Sequence, residues 1–171
     1  LRAIGLDTLS TSALMGGGGG AAMTPDGNQL AFVLSSGAER PQVKFWDLAT
    51  GREARTVNLP DKDFDGVELG FTLDGRLLVA GIVDKRLRLW DLSGKGNERD
   101  LTPTTTDYGG FIKFSRDGRL LALAEGYTVK LWDVATLREL PALNAPQGSL
   151  SASQARIFAN FTEDGKRVAT G

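Results

Sequence analysis

Apolar residues along this chain come in short bursts divided by polar turns, and no stretch repeats them at helical spacing. One phrase precedes each burst: Thr24-Pro25-Asp26-Gly27, Thr72-Leu73-Asp74-Gly75, Ser115-Arg116-Asp117-Gly118 and Thr162-Glu163-Asp164-Gly165. The bursts that follow are Leu30-Ala31-Phe32-Val33, Leu77-Leu78-Val79-Ala80, Leu120-Leu121-Ala122 and Val168-Ala169. Asp-Gly between two apolar runs predicts a hairpin, because glycine takes a positive φ without a Cβ clash and lets the turn follow the twist of its strands. Gly27, Gly75, Gly118 and Gly165 are therefore structural candidates.

A second phrase follows three of the four copies: Val43-Lys44-Phe45-Trp46-Asp47, Leu87-Arg88-Leu89-Trp90-Asp91 and Val129-Lys130-Leu131-Trp132-Asp133. Apolar and basic residues alternate here with period two, which predicts a strand whose polar side carries Lys44, Arg88 and Lys130. Further turns at Ala49-Thr50-Gly51-Arg52 and Leu92-Ser93-Gly94-Lys95 lead to another polar-apolar segment, giving four strands in roughly 45 residues. Such units must stack on one another to bury their faces.

With the Trp46-Asp47, Trp90-Asp91 and Trp132-Asp133 pairs joined to the Asp-Gly hairpins, the sequence resembles the WD-repeat family of β-propellers from Gly20 to Gly171. The resemblance implies an all-β fold of four-stranded antiparallel blades, with about three and a half blades and an incomplete ring. It places an outer strand near Asp7–Leu9 and a Gly-rich loop within 1–19, blades over 20–57, 66–102 and 109–142, and half a blade over 155–171. On that reading the chain is part of a longer protein, its ring is completed by other sequence or another chain, and its open blade edges can self-associate. The family's Gly-His dipeptide is absent, so its buried network of His, Ser/Thr, Asp and Trp cannot form in full; Asp84 alone occupies the family's structural aspartate position. The tryptophans are read as packing residues rather than ligand-stacking ones.

Composition narrows the function. Twenty basic residues against 21 acidic give a formal charge of -1, without the footprint of a nucleic-acid or acidic-membrane binder. No apolar run reaches the ~20 residues that span a bilayer, so a soluble protein is expected, with a cytoplasmic setting favoured. The chain has no cysteine and no histidine, which removes thiolate sites and the usual proton shuttle. No pair of acids is arranged for acid-base work, so neither catalysis nor a cofactor is expected of this segment.

Two stretches invite sharper readings. Asp61-Lys62-Asp63-Phe64-Asp65-Gly66 begins like a calcium loop, yet Leu69 and Thr72 stand where later oxygen ligands belong, and an acidic solvated loop is the simpler reading. Gly16–Gly20 lacks the Gly-Lys-Ser/Thr of a phosphate loop and reads as an entry loop. Asn160-Phe161-Thr162 matches the glycosylation pattern but lies on an expected inner strand.

The resemblance points to protein or peptide binding through the loops that join successive blades and those between second and third strands. The former hold Asp61, Asp63, Phe64, Asp65, Asp107 and Tyr108; the latter hold Glu39, Arg40, Lys85, Arg86, Glu125 and Tyr127. Aromatic anchors ringed by charge suit a binding hot spot, although Phe64 and Tyr108 may equally cover the ends of their blades. The expected function is an interaction scaffold or sensor module. The alternatives are a propeller domain that positions substrate for a catalytic domain outside this chain, and a calcium-binding propeller through the Asp61–Gly66 loop.

Overall fold

The structure, a computed structural model, describes residues 20–34, 40–61, 63–64, 66–93, 98–103, 111–144, 159–162 and 167–170. All described regular structure is β. Strands β1 (Ala21–Met23), β2 (Gln29–Leu34), β3 (Gln42–Asp47) and β4 (Arg52–Asn58) pair in chain order as one antiparallel sheet. A second such sheet comprises β5 (Gly66–Phe71), β6 (Leu77–Val83), β7 (Arg86–Asp91) and β8 (Glu98–Pro103). The third comprises β9 (Phe111–Phe114), β10 (Leu120–Glu125), β11 (Thr128–Asp133) and β12 (Arg138–Asn144), and β13 (Ala159–Phe161) with β14 (Val168–Thr170) makes a two-stranded sheet. No described helix is long and apolar enough to cross a membrane.

The sheets stack as propeller blades. Their first strands meet in sequence, β1 against β5, β5 against β9 and β9 against β13, while the exposed fourth strands lie outermost. Period-two alternation gives each sheet two apolar faces, and each interface joins unlike faces of neighbours. Val43 and Phe45 of the first sheet meet Leu69, Phe71, Val79 and Trp90 of the second. From the opposite face of the second, Leu78, Ile82, Leu87 and Leu89 meet Leu121, Leu123 and Trp132 of the third. Phe161 and Val168 pack on the third sheet's far face, against Ala122, Ala124, Val129 and Leu131.

Trp90 and Trp132, 1% and 2% exposed, therefore each plug the interface with the preceding sheet. Burying about 200 Å² of such a side chain stabilises by roughly 5 kcal/mol at 25 cal/mol per Å². Trp46 takes the same position in the first sheet but is only half-buried. The indole N–H groups of Trp46 and Trp90 are shut away without an acceptor, as expected where no histidine network can form.

Local chemistry explains both repeated phrases. In the first hairpin the Thr24 hydroxyl donates to Asp26 Oδ1 at 2.6 Å and accepts from the Gln29 N–H at 3.0 Å. The Gly27 N–H donates to the Thr24 carbonyl at 2.8 Å, with Gly27 at φ 73°. Ser115, Asp117 and Gly118 repeat this geometry, as do Thr72, Asp74 and Gly75. The aspartate after each tryptophan closes the next turn: Asp47 Oδ1 accepts from the N–H and hydroxyl of Thr50, and Asp133 Oδ1 from those of Thr136. Asp91 accepts the Ser93 N–H at 2.9 Å.

Candidate functional site

In an antiparallel meander the links between second and third strands emerge at the same end of the sheet as the links between successive sheets. The Asp-Gly and post-tryptophan turns emerge at the other. One end of this molecule is therefore a turn end, and the opposite one a loop end.

At the turn end the carboxylates are committed to the backbone. The hydroxyls of Thr24 and Thr72 hold Asp26 and Asp74 below the ordinary aspartate range, while the Thr50 N–H and hydroxyl lower Asp47. The hydroxyl and N–H of Thr136 lower Asp133. Burial pushes Asp117 up, but the Ser115 hydroxyl and Arg119 N–H outweigh it and the net direction is down.

The loop end differs from sheet to sheet. The link between the first and second sheets is laced to the turn before β3: the Leu59 N–H donates to the Pro41 carbonyl at 2.9 Å, and Arg40 Nη1 reaches the Pro60 carbonyl at 3.4 Å. Asp63 is exposed and Asp61 half-buried, with the Asp63 N–H on Asp61 Oδ1 at 3.4 Å. Phe64 turns inward, its ring 5.4 Å from that of Trp90, and a Cβ on Gly81 would stand only 2.4 Å from it. Asp84 and Lys85, both exposed, form the two-residue turn between β6 and β7 at φ 50° and 57°, the left-handed pair of a type I′ turn.

Arg86 binds Asp100 of β8 at 3.0 Å, and Tyr127 is half-buried in the turn after β10. Glu125, assigned from sequence to this exposed set, is instead buried and lies 3.1 Å from Lys130. Glu39, Asp65, Asp107, Tyr108 and Gly165 lie outside the described residues. The structure thus brings Arg40, Asp61, Asp63 and Phe64 together in one link, with Asp84, Lys85, Arg86 and Tyr127 in the neighbouring turns at the same end.

Two features escaped the sequence reading. Phe111 opens β9 at the loop end of an inner strand and is 40% exposed; its position at a strand start was the available signal. Glu53, Glu98 and Glu139 each stand across from a repeat tryptophan. Lys44 reaches Glu53 at 2.7 Å and Arg88 reaches Glu98 at 3.1 Å, whereas Lys130 turns to Glu125. The acid at a fixed offset after each Trp-Asp pair is readable in the sequence, but only once the pairing register is known.

Among the described residues, no group of three or more His, Cys, Asp or Glu side chains could hold a metal ion.

No family model matches the chain. It is 32% identical over 117 residues to the serine-threonine kinase receptor-associated protein of Gallus gallus, covering 68% of this chain and 33% of the relative. It is 33% identical over 105 residues to the WD repeat and SOCS box-containing protein 1 of Xenopus tropicalis, covering 60% and 24%. Against the pre-mRNA-processing factor 19 homolog 2 of Arabidopsis thaliana it is 31% identical over 94 residues, covering 55% and 18%. The chain spans a third or less of the length of these relatives.

Proposed function

Because the chain belongs to the WD-repeat family of β-propellers, we propose that it is a protein-interaction module that grips a protein or peptide with its loop end. The observation that carries this reading is the contrast between the two ends. Turn-end carboxylates repeat from sheet to sheet and cap their own turns, whereas the loop end varies and presents Arg40, Asp63, Asp84 and Lys85 to solvent. A variable, charged rim on a rigid scaffold is where recognition is placed most readily.

Phe111, exposed at the start of an inner strand, is the aromatic that fits an anchoring role, while Phe64 is engaged with Trp90. One relative is named as receptor-associated, in keeping with a scaffold. Within a longer protein the module serves as a scaffold or sensor arm.

The test is a displayed-peptide selection on the chain, followed by charge reversal at each end. Arg40→Glu, Lys85→Glu and Phe111→Ser are expected to weaken selected peptides at least tenfold, and Asp26→Asn and Asp133→Asn to leave them within twofold. The reverse pattern would place recognition on the turn end.

A further inference from the structure

Strand β5 is the inner strand of the second sheet, and Glu68 is its one ionisable residue. The strands packed against it, β1, β2, β6 and β9, contribute only one more ionisable side chain among the described residues, that of Lys113 on β9. Lys113 Nζ donates to Glu68 Oε1 at 2.6 Å. The glutamate side chain is 11% exposed and that of the lysine 35%. On its other flank Glu68 lies against the entry to β1, where a Cβ on Gly20 would stand 2.9 Å from Glu68 Oε2 and 2.7 Å from the Leu69 nitrogen. A single carboxylate therefore touches the innermost backbone of the first sheet while it is bonded to the innermost strand of the third.

Stability alone is a poor reason for this arrangement. Removing two charges from water costs several kcal/mol per ion, and an apolar pair at such a site is often as stable or more so. The flanking residues of β5, Val67 and Leu69, show that apolar packing is available on this strand. What an ion pair provides, and an apolar pair does not, is a contact that can be switched.

We propose that Glu68 and Lys113 form an acid-released latch between the inner strands of the second and third sheets, closed while the carboxylate is ionised and opened when it takes up a proton. Burial pushes the Glu68 carboxyl above the ordinary glutamate value of 4.5 in spite of Lys113, so release begins on the neutral side of that value. The folded chain then takes the proton more readily than the unfolded one. Opening is accordingly local, and acid in this window does not unfold the protein through Glu68. The turn aspartates, shifted the other way, keep their charges and their caps in the same window.

The test is amide hydrogen exchange of the full chain between pH 8 and 5, corrected for intrinsic exchange, in wild type, Glu68→Gln and Lys113→Gln. Protection of residues 66–71 and 111–114 is expected to fall on the order of tenfold across that range in wild type. It should be low and independent of pH in Glu68→Gln, while protection of β2 and β3 stays constant in both. Unchanged wild-type protection, or a wild-type profile in Glu68→Gln, would overturn the latch. Should the variants not fold, side-chain NMR on wild type decides: the Glu68 carboxyl and Lys113 ammonium signals must titrate together, and a Lys113 signal indifferent to the Glu68 titration contradicts the proposal.

Discussion

The ring of Phe64 stands edge-on to that of Trp90, with centroids 5.4 Å apart and planes inclined at 72°. The link between the first two sheets is thereby pinned into the interface that it spans, and Gly81 makes the room. An added Cβ there would meet Phe64 Cδ1 at 2.4 Å. Gly81→Ala should destabilise by about 1–3 kcal/mol through overpacking. In a Phe64→Ala background the same change should cost at least ~1 kcal/mol less, a coupling that a urea-denaturation double-mutant cycle reads directly. Strict additivity would mean that the two residues do not share this space.

The Ser115 hydroxyl, 2% exposed as a residue, both donates to Asp117 and accepts the Leu120 N–H at 2.9 Å. Ser115→Ala leaves those partners unmatched and should cost about 1–3 kcal/mol, with Ser115→Thr restoring most of the loss. Thr24→Ala, at a more exposed turn, should cost less. Equal effects at both positions would show that burial does not set the magnitude.

Acid should act in two stages with opposite signs. Asp26, Asp47, Asp74, Asp117 and Asp133 lie below their ordinary value of 3.8 in the fold. Their contribution is complete above that value and is lost as pH falls through the lowered folded values. Glu68 lies above its ordinary 4.5, so its contribution to stability grows as pH falls towards 4.5. Denaturation midpoints should hold or rise slightly from neutral pH to about 4.5 and then drop below 3.8. Asp133→Asn should blunt the drop, and a midpoint that falls steadily from neutrality would contradict these signs.

Trp90 buries an indole N–H that has no acceptor. Trp90→Phe loses ring area but removes a donor whose burial costs about 1–3 kcal/mol, so the net loss should stay under ~2 kcal/mol. A loss of ~4 kcal/mol would point to an unseen partner for the indole.

Strand β14 pairs with β13 on one side, and no described strand pairs with its other edge. Such an edge is a template for another chain. Light scattering should therefore show self-association of the 171-residue chain, and a monodisperse monomer would refute it.

The fold was legible because its signals are local. Asp-Gly turns, period-two alternation and Trp-Asp pairs each report on a few neighbouring residues, and together they led to stacked four-stranded sheets. Other features depend on register or on contacts between sheets. The pairing of Lys44 with Glu53 requires knowing which residues stand opposite, and Glu68 meets Lys113 across 45 positions of sequence. Glu125 sits at the end of an apolar run beside a turn, which reads as exposed; only the position of Lys130 on the neighbouring strand explains its burial. Leu137, at φ 58° where the first sheet has Gly51, was equally hidden, because its left-handed conformation is imposed by the turn that Asp133 closes.

The central claim is that the loop end is the recognition surface. It is tested most directly by hydrogen-exchange footprinting of the chain bound to a selected peptide. The account predicts new protection at residues 40–41, 61–64, 84–86 and 126–127, with none at the turns 24–28, 72–76 and 115–119. Protection confined to those turns would contradict it.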